Sequence, residues 1–178
     1  MTSTGNVASR VDGSVSGRFR DAMASVCTPV AVVTAMDGDR PHGTTVSAVM
    51  SLSMTPPMIA VALDNNSELL GIIRETGNFG VNVLTSVQAK EASIFAGKGH
   101  DKFDGVGWTL SDGSPRLAYL SSWTACQLAS FVAGGDHTIL MGTVVAADSA
   151  PDRPLTYHRR QFGTHSVSAL RPRSVDAH

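Results

Sequence analysis

Residues 43–57 read GTTVSAVMSLSMTPP, and small hydroxyl side chains alternate there with apolar ones. On an extended chain, the even positions from 44 to 54 form a mainly apolar row. The odd positions carry Thr45, Ser47, Val49, Ser51 and Ser53, which repeat about every 7 Å because a strand rises about 3.3 Å per residue. The alternation predicts one extended segment whose polar face holds a flat, polar ligand. The alternative is an ordinary edge strand whose hydroxyls face solvent.

The composition indicates one folded domain with a small net charge. The chain has 178 residues, of which 42% are hydrophobic, and this is enough for a single core. Its 14 basic and 15 acidic side chains give a formal charge of -1. Because nucleic-acid binding depends on a basic surface, we expect no nucleic-acid partner.

The cysteines and the apolar runs indicate the compartment. Cys27 and Cys126 lie far apart without C-x-x-C spacing, which predicts a reduced chain with two buried thiols. The longest apolar runs are shorter than a membrane span, and the N-terminus lacks the charged-then-apolar order of a secretion signal. We therefore expect a cytoplasmic protein without a membrane partner.

The segments on either side of residues 43–57 carry strand, turn and helix signals. Before them, VAVVTAM at 30–36 is β-rich and DGDRPHG at 37–43 contains turn residues, so a hairpin is predicted. After them, MIAVAL at 58–63 is typical of a strand buried on both faces. SELLGIIRETG at 67–77 predicts a helix that Ser67 caps and Gly77 ends.

The rest of the chain adds strands, helices and a long hairpin. FGVNVL at 79–84 predicts a strand, SVQAKEASIFAG at 86–97 a capped helix, and residues 98–108 a surface loop. Residues 122–133 and 137–147, joined by Gly-Gly-Asp, predict two antiparallel neighbours. A further short helix is expected within residues 18–27.

Six or so mostly antiparallel strands with short helices predict a mainly β protein, a small barrel with helical plugs. A doubly wound parallel sheet would need regular βαβ alternation, which is absent. Residues 1–16 are rich in Ser, Gly and Thr without a periodic apolar face, so we expect a flexible N-terminal segment. The domain is predicted to span residues 17–166, followed by a flexible tail at 167–178.

The motifs of several enzyme classes are missing. No G-x-G-x-x-G follows a strand, and neither a phosphate-binding P-loop nor a G-x-S-x-G elbow is present. The histidines show neither H-x-x-x-H spacing nor a pairing with cysteine, so no metal site is expected. They are His42, His100, His137, His158, His165 and His178. What remains is a ligand site of small hydroxyls, backbone amides and lysines.

The ordered motifs resemble the flavin reductase-like domain family, the short NAD(P)H:flavin oxidoreductases of two-component monooxygenases. Over residues 19–165 they are TPVAVVTA, GTTVSAVMSLSMTPPMIAVAL, TGNFGVNVL, DKF, GGDHTILMGTV and PLTYHRRQFG. The resemblance implies a Greek-key split β-barrel (FMN-binding split barrel) that forms a homodimer, with FMN or FAD partly at the subunit boundary. It also implies NADH or NADPH as hydride donor, and an oxygenase that receives the reduced flavin. Family members often have Thr-Gly where Thr28-Pro29 stands, and proline removes one backbone donor there.

The resemblance also implies the flavin-binding residues. Thr44, Thr45, Val46, Ser47 and Ala48 would lie against the ring and the ribityl chain, with Ser51 and Ser53 nearer the phosphate. Asn65 and Ser67 stand at a helix start, where free N–H groups favour a phosphate. Lys98 and Lys102 would complete this anion site as point charges, with Phe103 beside them.

By the same resemblance, His137 faces the nicotinamide and is the predicted catalytic residue. The nicotinamide nucleotide would be covered by Tyr157, His158, Arg159, Arg160 and Phe162. Each assignment has an ordinary alternative: Ser67 caps its helix, the two lysines are solvated loop charges, and Asp136 holds His137 in its hairpin. The segment around Arg159 is then a charged strand end.

Two other functions remain open at this point. A related barrel of the pyridoxamine-phosphate-oxidase type keeps its flavin bound and acts on an organic substrate. A flavin-binding module without catalysis is the other alternative. The residues choose neither between FMN and FAD nor between NADH and NADPH.

Overall fold

A computed structural model describes residues 8–99 and 101–166, with side chains from residue 15 onward. Within them the helices are α1 Ala8–Ala24, α2 Glu68–Thr76 and α3 Ala89–Ala96. The strands are β1 Thr28–Pro29, β2 Ala31–Asp37, β3 Arg40–Val46, β4 Val49–Met54, β5 Pro57–Asp64, β6 Asn78–Val83, β7 Trp108–Ser111, β8 Ser114–Leu117, β9 Ser122–Gly134, β10 His137–Ser149, β11 Leu155–His158 and β12 Gln161–Thr164. The predicted mainly β class is confirmed. The predicted tail at 167–178, residues 1–7, His100 and His178 lie outside the described residues.

A seven-stranded sheet forms the centre of the fold. Its strands lie in the order β3-β2-β6-β9-β10-β5-β4, and every neighbouring pair is antiparallel. The predicted hairpins β2–β3 and β9–β10 are both present. Two small sheets, β1-β11-β12 and β7-β8, were not predicted, because strands of two to four residues carry too little periodic signal.

The single extended segment predicted over residues 44–53 is two strands. The chain leaves β3 at Val46, bends at Ser47 and Ala48, and enters β4 at Val49. β3 pairs with β2, whereas β4 pairs with β5 at the opposite end of the strand order. The chain bends where it changes its pairing partner, and local alternation does not record this change, so the prediction extended too far.

The core has two layers, because β2 is buried on both faces. Ala31, Val33 and Ala35 pack in the cluster that contains the apolar side of α2. Val32 points the other way, into the cluster that contains Phe95 of α3. Side chains alternate between the two faces of a strand, so this one strand packs in both layers of the core.

Helix α2 agrees with its predicted pattern except at its first turn. Leu69, Leu70, Ile72 and Ile73 are buried, and Gly77 ends the helix in the left-handed conformation at φ 71°. Ser67 occupies the cap position, but its hydroxyl makes no capping hydrogen bond. The predicted capping role is therefore wrong. Helix α3 likewise begins at Ala89, three residues after the predicted Ser86, without a side-chain cap.

Two expectations about the N-terminal region are corrected, namely the bounds of its helix and the burial of Cys27. The helix expected within residues 18–27 spans Ala8–Ala24. Gly17 and its neighbouring serines have low helix propensity, and Val15, Phe19 and Met23 of this helix are exposed rather than buried in a stripe. Cys27 is exposed just after the helix, whereas Cys126 is buried as predicted and burial raises the pKa of its thiol to about 11.

Within the part of the chain that the structure describes, no helix has both the length and the apolar character needed to cross a membrane.

We expect Gly142→Ala to destabilise the fold by roughly 1–3 kcal/mol, the usual cost of overpacking a core. A Cβ at this position would lie 2.5 Å from Phe79 Cζ and 2.9 Å from Cys126 Cβ. Urea unfolding followed by circular dichroism measures the change in the free energy of unfolding.

The matched control is Gly71→Ala, because a Cβ at Gly71 meets nothing within 4 Å. This residue lies inside α2, where alanine is favoured over glycine by about 0.8–1 kcal/mol. The two variants should therefore shift the urea midpoint in opposite directions. A neutral Gly142→Ala variant would contradict the packing of β10 against β6.

Candidate functional site

Two cavities that share Thr44, Asp64 and Ser67 form one cleft at the outer edge of β3. The large cavity has a volume of about 640 Å³ and the small cavity about 260 Å³. The large cavity is lined by Pro41, His42, Gly43, Thr44, Asp64, Asn66, Ser67, Glu68, Leu69, Ala96, Gly97, Lys98, Gly99, Lys102 and Phe103. The small cavity is lined by Thr44, Thr45, Val46, Ser47, Ala48, Ala62, Leu63, Asp64, Ser67 and His137.

Close packing of β3 against α3 forms one wall of the cleft. A Cβ at Gly43 would lie 2.9 Å from the Phe95 ring, so only glycine permits this approach. The Thr45 hydroxyl donates to the Ala92 carbonyl at 2.7 Å, which ties the strand to the helix. Thr45 therefore has a structural hydrogen bond in addition to its predicted place beside a ligand.

Lys102 bridges the same two elements. Its ammonium donates to the Gly43 carbonyl at 3.3 Å and to the Phe95 carbonyl at 3.1 Å. Burial lowers the pKa of Lys102, and the nearby Glu68 carboxylate partly opposes this shift. Because an ammonium has three N–H donors, these two bonds leave one donor for a ligand in the large cavity.

The large cavity carries charges of both signs. Lys98 and Lys102 line the side formed by α3 and its following loop, and Asp64 and Glu68 line the side formed by the start of α2. Glu68 Oε1 lies 3.9 Å from His42 Nε2. The dipole of α2 alone would favour a phosphate at the start of this helix. The carboxylates there oppose that attraction.

His137 lies at the wall of the small cavity and begins β10, where it is paired with Asp64 of β5. Its Nδ1 is 2.8 Å from Asp136 Oδ1, and its side chain is 44% exposed. The hydrogen bond from His137 and its charge lower the pKa of the Asp136 carboxyl. Asp136 thus holds His137 in its hairpin, as the ordinary alternative to a ligand role predicted. His137 also faces the small cavity.

The cleft gathers most of the predicted cofactor residues. They are Thr44, Thr45, Val46, Ser47, Ala48, Ser67, Lys98, Lys102 and Phe103, together with His137. The predicted residues that line neither cavity are Ser51, Ser53, Asn65, Tyr157, His158, Arg159, Arg160 and Phe162.

The residues outside the cleft have structural contacts. Ser51 and Ser53 lie on β4, where the Ser53 hydroxyl accepts a hydrogen bond from the Thr55 amide at 3.2 Å. Asn65 donates to the Gly135 carbonyl at 3.1 Å and accepts from the Thr138 hydroxyl at 2.8 Å, which ties the start of α2 to the β9–β10 turn.

The segment predicted to cover the nicotinamide nucleotide lies beside α1, and its ligand role stays a prediction. Its Arg160 guanidinium is 3.2 Å from Asp21 Oδ1, and the Arg159 amide donates to the Ala24 carbonyl at 2.7 Å. These bonds anchor the β11–β12 turn to the end of the N-terminal helix.

Several lining residues were not predicted as ligand-binding. They are His42, Asp64, Asn66 and Glu68. His42 precedes Thr44 by two positions and therefore shares its strand face, a signal that was present in the sequence. Within residues 8–99 and 101–166, no three His, Cys, Asp or Glu side chains gather as metal ligands.

Residues 23–166 match the family described as "Flavin reductase like domain". The chain belongs to this family. It is 37% identical, over 145 residues, to the reductase component of 4-nitrophenol 4-monooxygenase/4-nitrocatechol 2-monooxygenase from Rhodococcus opacus, covering 82% of this chain and 78% of that protein. It is 35% identical, over 152 residues, to the NADH:riboflavin 5'-phosphate oxidoreductase of Streptomyces pristinaespiralis, covering 82% and 86%.

The fold is similar to a solved structure from the same family. The NADH:FAD oxidoreductase of Streptomyces globisporus C-1027, in complex with NAD and FAD fragments, superposes with a TM-score of 0.82. The sequences are 29% identical, and the match covers 86% of this chain and 94% of that one. The predicted family is confirmed, and so is the predicted class of activity, because these relatives are flavin reductases that use NADH.

We expect Lys102→Met to destabilise the protein by about 1–3 kcal/mol, because two carbonyl oxygens lose their hydrogen-bond donor. Lys98→Met is the control, since Lys98 is an exposed lysine of the same loop and its loss should change the free energy of unfolding by about 0.5 kcal/mol or less. Urea unfolding of both variants measures the difference. Equal midpoints for the two variants would show that Lys102 is not a structural bridge.

Proposed function

We propose that this protein uses NADH to reduce a flavin nucleotide and releases the reduced flavin to a partner oxygenase. The observation that carries the proposal is the cleft, in which ten of the site residues implied by the resemblance lie together. The relative from Rhodococcus opacus, which is named as the reductase component of a monooxygenase, supports the oxygenase as partner.

The residues of the cleft fit a flavin nucleotide. The small cavity presents small side chains and the outer edge of β3, whose alternate main-chain groups point away from β2. Thr44 through Ala48 would hold the ring and the ribityl hydroxyls there. Lys98 and the remaining donor of Lys102 would contact the phosphate in the large cavity.

The bound flavin supplies the redox chemistry, because it accepts a hydride from the nicotinamide. The chain has to hold the nicotinamide and flavin rings in the geometry that hydride transfer needs. His137, at the wall of the small cavity, is our proposed contact for the nicotinamide. Asp136 fixes its ring orientation through the 2.8 Å bond. No acid–base pair is required for this step.

The mouth of the cleft supports an exchangeable flavin rather than a permanently bound one. Asn66, Glu68 and Lys98 line the large cavity and are exposed to solvent. A ligand at this position can leave without a movement of the core. This favours the released-flavin function over a barrel that retains its flavin.

We also infer a Greek-key split barrel. The two edge strands, β3 and β4, are joined by only Ser47 and Ala48. A flat sheet of seven strands would separate its edges by roughly 29 Å, at about 4.8 Å per strand gap, which two residues cannot span. The sheet must therefore curl, as a barrel requires.

A homodimer is our proposal for the oligomeric state. The face of β4, β5, β9 and β10 that points away from the core carries an apolar patch, which we call the methionine face. It comprises Met50, Met58, Val132, Ile139 and Met141. Met50 and Val132 are 55% and 52% exposed. A second copy would cover it, and because Ile139 is paired with Ala62 of the small cavity, the interface would adjoin the flavin.

The two free thiols support a cytoplasmic location, because reducing compartments keep cysteines unpaired.

A spectrophotometric assay of NADH and NADPH loss against FMN, FAD and riboflavin tests the function. We expect a colourless preparation that oxidises NADH only when flavin is added. We expect His137→Ala to raise the KM for NADH and to leave the flavin Kd unchanged, because the proposed contact is with the nicotinamide.

The other functions predict different results. A yellow preparation that survives dialysis would favour the retained-flavin alternative. No oxidation of either nucleotide with any flavin would favour a binding module. Unchanged NADH kinetics in His137→Ala would contradict the role of His137.

Light scattering at assay concentration tests the dimer. We expect twice the mass of the chain, and a shift to monomer in Met50→Asp, because a charge in an apolar interface is not solvated. Leu110→Asp is the control, since Leu110 is 61% exposed on β7 and lies outside the methionine face. A monomeric parent protein would contradict the proposal.

A further inference from the structure

The turn that precedes His137 is bonded to a residue from outside its hairpin, Asn65. Strands β9 and β10 are joined by Gly135 and Asp136 alone, and Gly135 adopts the left-handed conformation at φ 70°. The Asn65 amide donates to the Asp136 carbonyl at 3.0 Å, and Asn65 Nδ2 donates to the Gly135 carbonyl at 3.1 Å. Both carbonyls of this turn therefore accept a hydrogen bond from Asn65.

A third hydrogen bond lies on the other side of His137. Asn65 Oδ1 accepts from the hydroxyl of Thr138 at 2.8 Å. Thr138 is only 3% exposed, and the low local dielectric of a buried site strengthens its hydrogen bonds. Asn65 is thus bonded to residues both before and after His137, and these bonds fix the backbone of His137 relative to the start of α2.

Arg74 determines which way the Asn65 side chain points. Its Nη2 donates to the Thr138 hydroxyl at 3.3 Å. Because a guanidinium has no acceptor, the hydroxyl accepts from Arg74 and keeps its own proton for Asn65 Oδ1. The Asn65 Nδ2 is then directed at the Gly135 carbonyl. The guanidinium itself lies 4.7 Å from the centre of the Phe131 ring, a cation–π contact that holds Arg74 in place.

The His137 ring has only a local tether of its own. Its Nδ1 is 2.8 Å from Asp136 Oδ1, and the side chain is 44% exposed, so packing restrains it weakly. Asp136 belongs to the same turn, so a displaced turn would carry both side chains with it. The bonds from Asn65 are therefore what relates the His137 ring to the rest of the small cavity.

We propose that Asn65 is a positioning residue for His137, which it holds at the wall of the small cavity where the nicotinamide is to be contacted. The inference rests on the proposed function and deepens it. It gives Asn65 a role different from the flavin contact that the resemblance implies. Asn65 lines neither cavity and acts through the turn. Reaction rates depend steeply on such placement, because a small displacement of a contacting group removes the productive geometry.

Steady-state kinetics with NADH at saturating flavin test this proposal. We expect Asn65→Ala to lower kcat/KM for NADH about three- to tenfold, the size of effect that one or two lost hydrogen bonds produce. Its flavin Kd should change by about twofold or less, as for a substitution away from the ligand. Asn78→Ala is the control, because Asn78 also donates a side-chain hydrogen bond beside α2, at 3.0 Å to the Thr76 carbonyl, but follows the opposite end of the helix.

Two substitutions of Thr138 separate positioning from packing. Thr138→Val keeps the shape of the side chain and removes the hydroxyl that orients Asn65, so it should lower kcat/KM for NADH in the same range as Asn65→Ala. Thr138→Ser keeps the hydroxyl and removes a buried methyl group. It should lower the urea midpoint and retain most of the parent kcat/KM. Circular dichroism establishes that each variant is folded before the kinetics.

A double variant tests whether the effect passes through His137. In His137→Ala the ring that Asn65 positions is absent, so adding Asn65→Ala should lower kcat/KM for NADH by less than about twofold more. An equal loss in the parent and His137→Ala backgrounds would overturn the inference, because Asn65 would then act independently of His137.

Two further results would overturn it. One is an unchanged kcat/KM for NADH in Asn65→Ala. The other is weaker flavin binding in this variant with unchanged NADH kinetics, which would identify Asn65 as the flavin contact that the resemblance implies. The parent assay separates these failures from that of the proposed function. A parent protein that reduces flavin with NADH has the proposed function whatever Asn65 does, whereas one that oxidises neither nucleotide with any flavin refutes both.

Discussion

Burial of both faces of β2 is the constraint on which the rest of the structure depends. Residues 31, 33 and 35 face the core under α2, and residues 30 and 32 face the core under α3. An apolar strand of this kind needs a cover on each side, and the two helices provide it. β3 pairs with β2, so this edge strand is held between the ends of α2 and α3, and the space beside it becomes the cleft.

Some polar groups around the cleft stabilise the fold, and others are available to a ligand. Thr45, Lys102 and Asn65 hold the elements together through hydrogen bonds to carbonyl and hydroxyl groups. Buried carbonyls need such partners, so these side chains are not wholly available to a cofactor. The ligand instead meets an unpaired strand edge, small side chains and charges at the mouth. This arrangement suits a flavin that binds, is reduced and leaves.

The cleft also lies next to the proposed dimer interface. The small cavity contains Ala62, and its neighbour Ile139 belongs to the methionine face. Covering that face with a second copy would shield the ring end of the flavin from water while the large cavity stays open. Shielding strengthens the electrostatic contacts of the ring, and the open end preserves exchange.

Local patterns in the sequence determined the hairpins, the buried stripe of α2, its end at Gly77 and the family, because each depends on neighbours within a few residues. They also indicated Thr44 through Ala48, which lie on one continuous stretch. Only the tertiary structure decided that the chain breaks at Ser47, that Ser51 and Ser53 leave the cleft, and that Arg159 and Arg160 contact the N-terminal helix. It also brought Glu68 and Lys102 into the lining of one cavity. These features depend on which strands pair and on contacts between residues that are distant in sequence. Periodicity along the chain predicts neither the strand pairing nor these contacts.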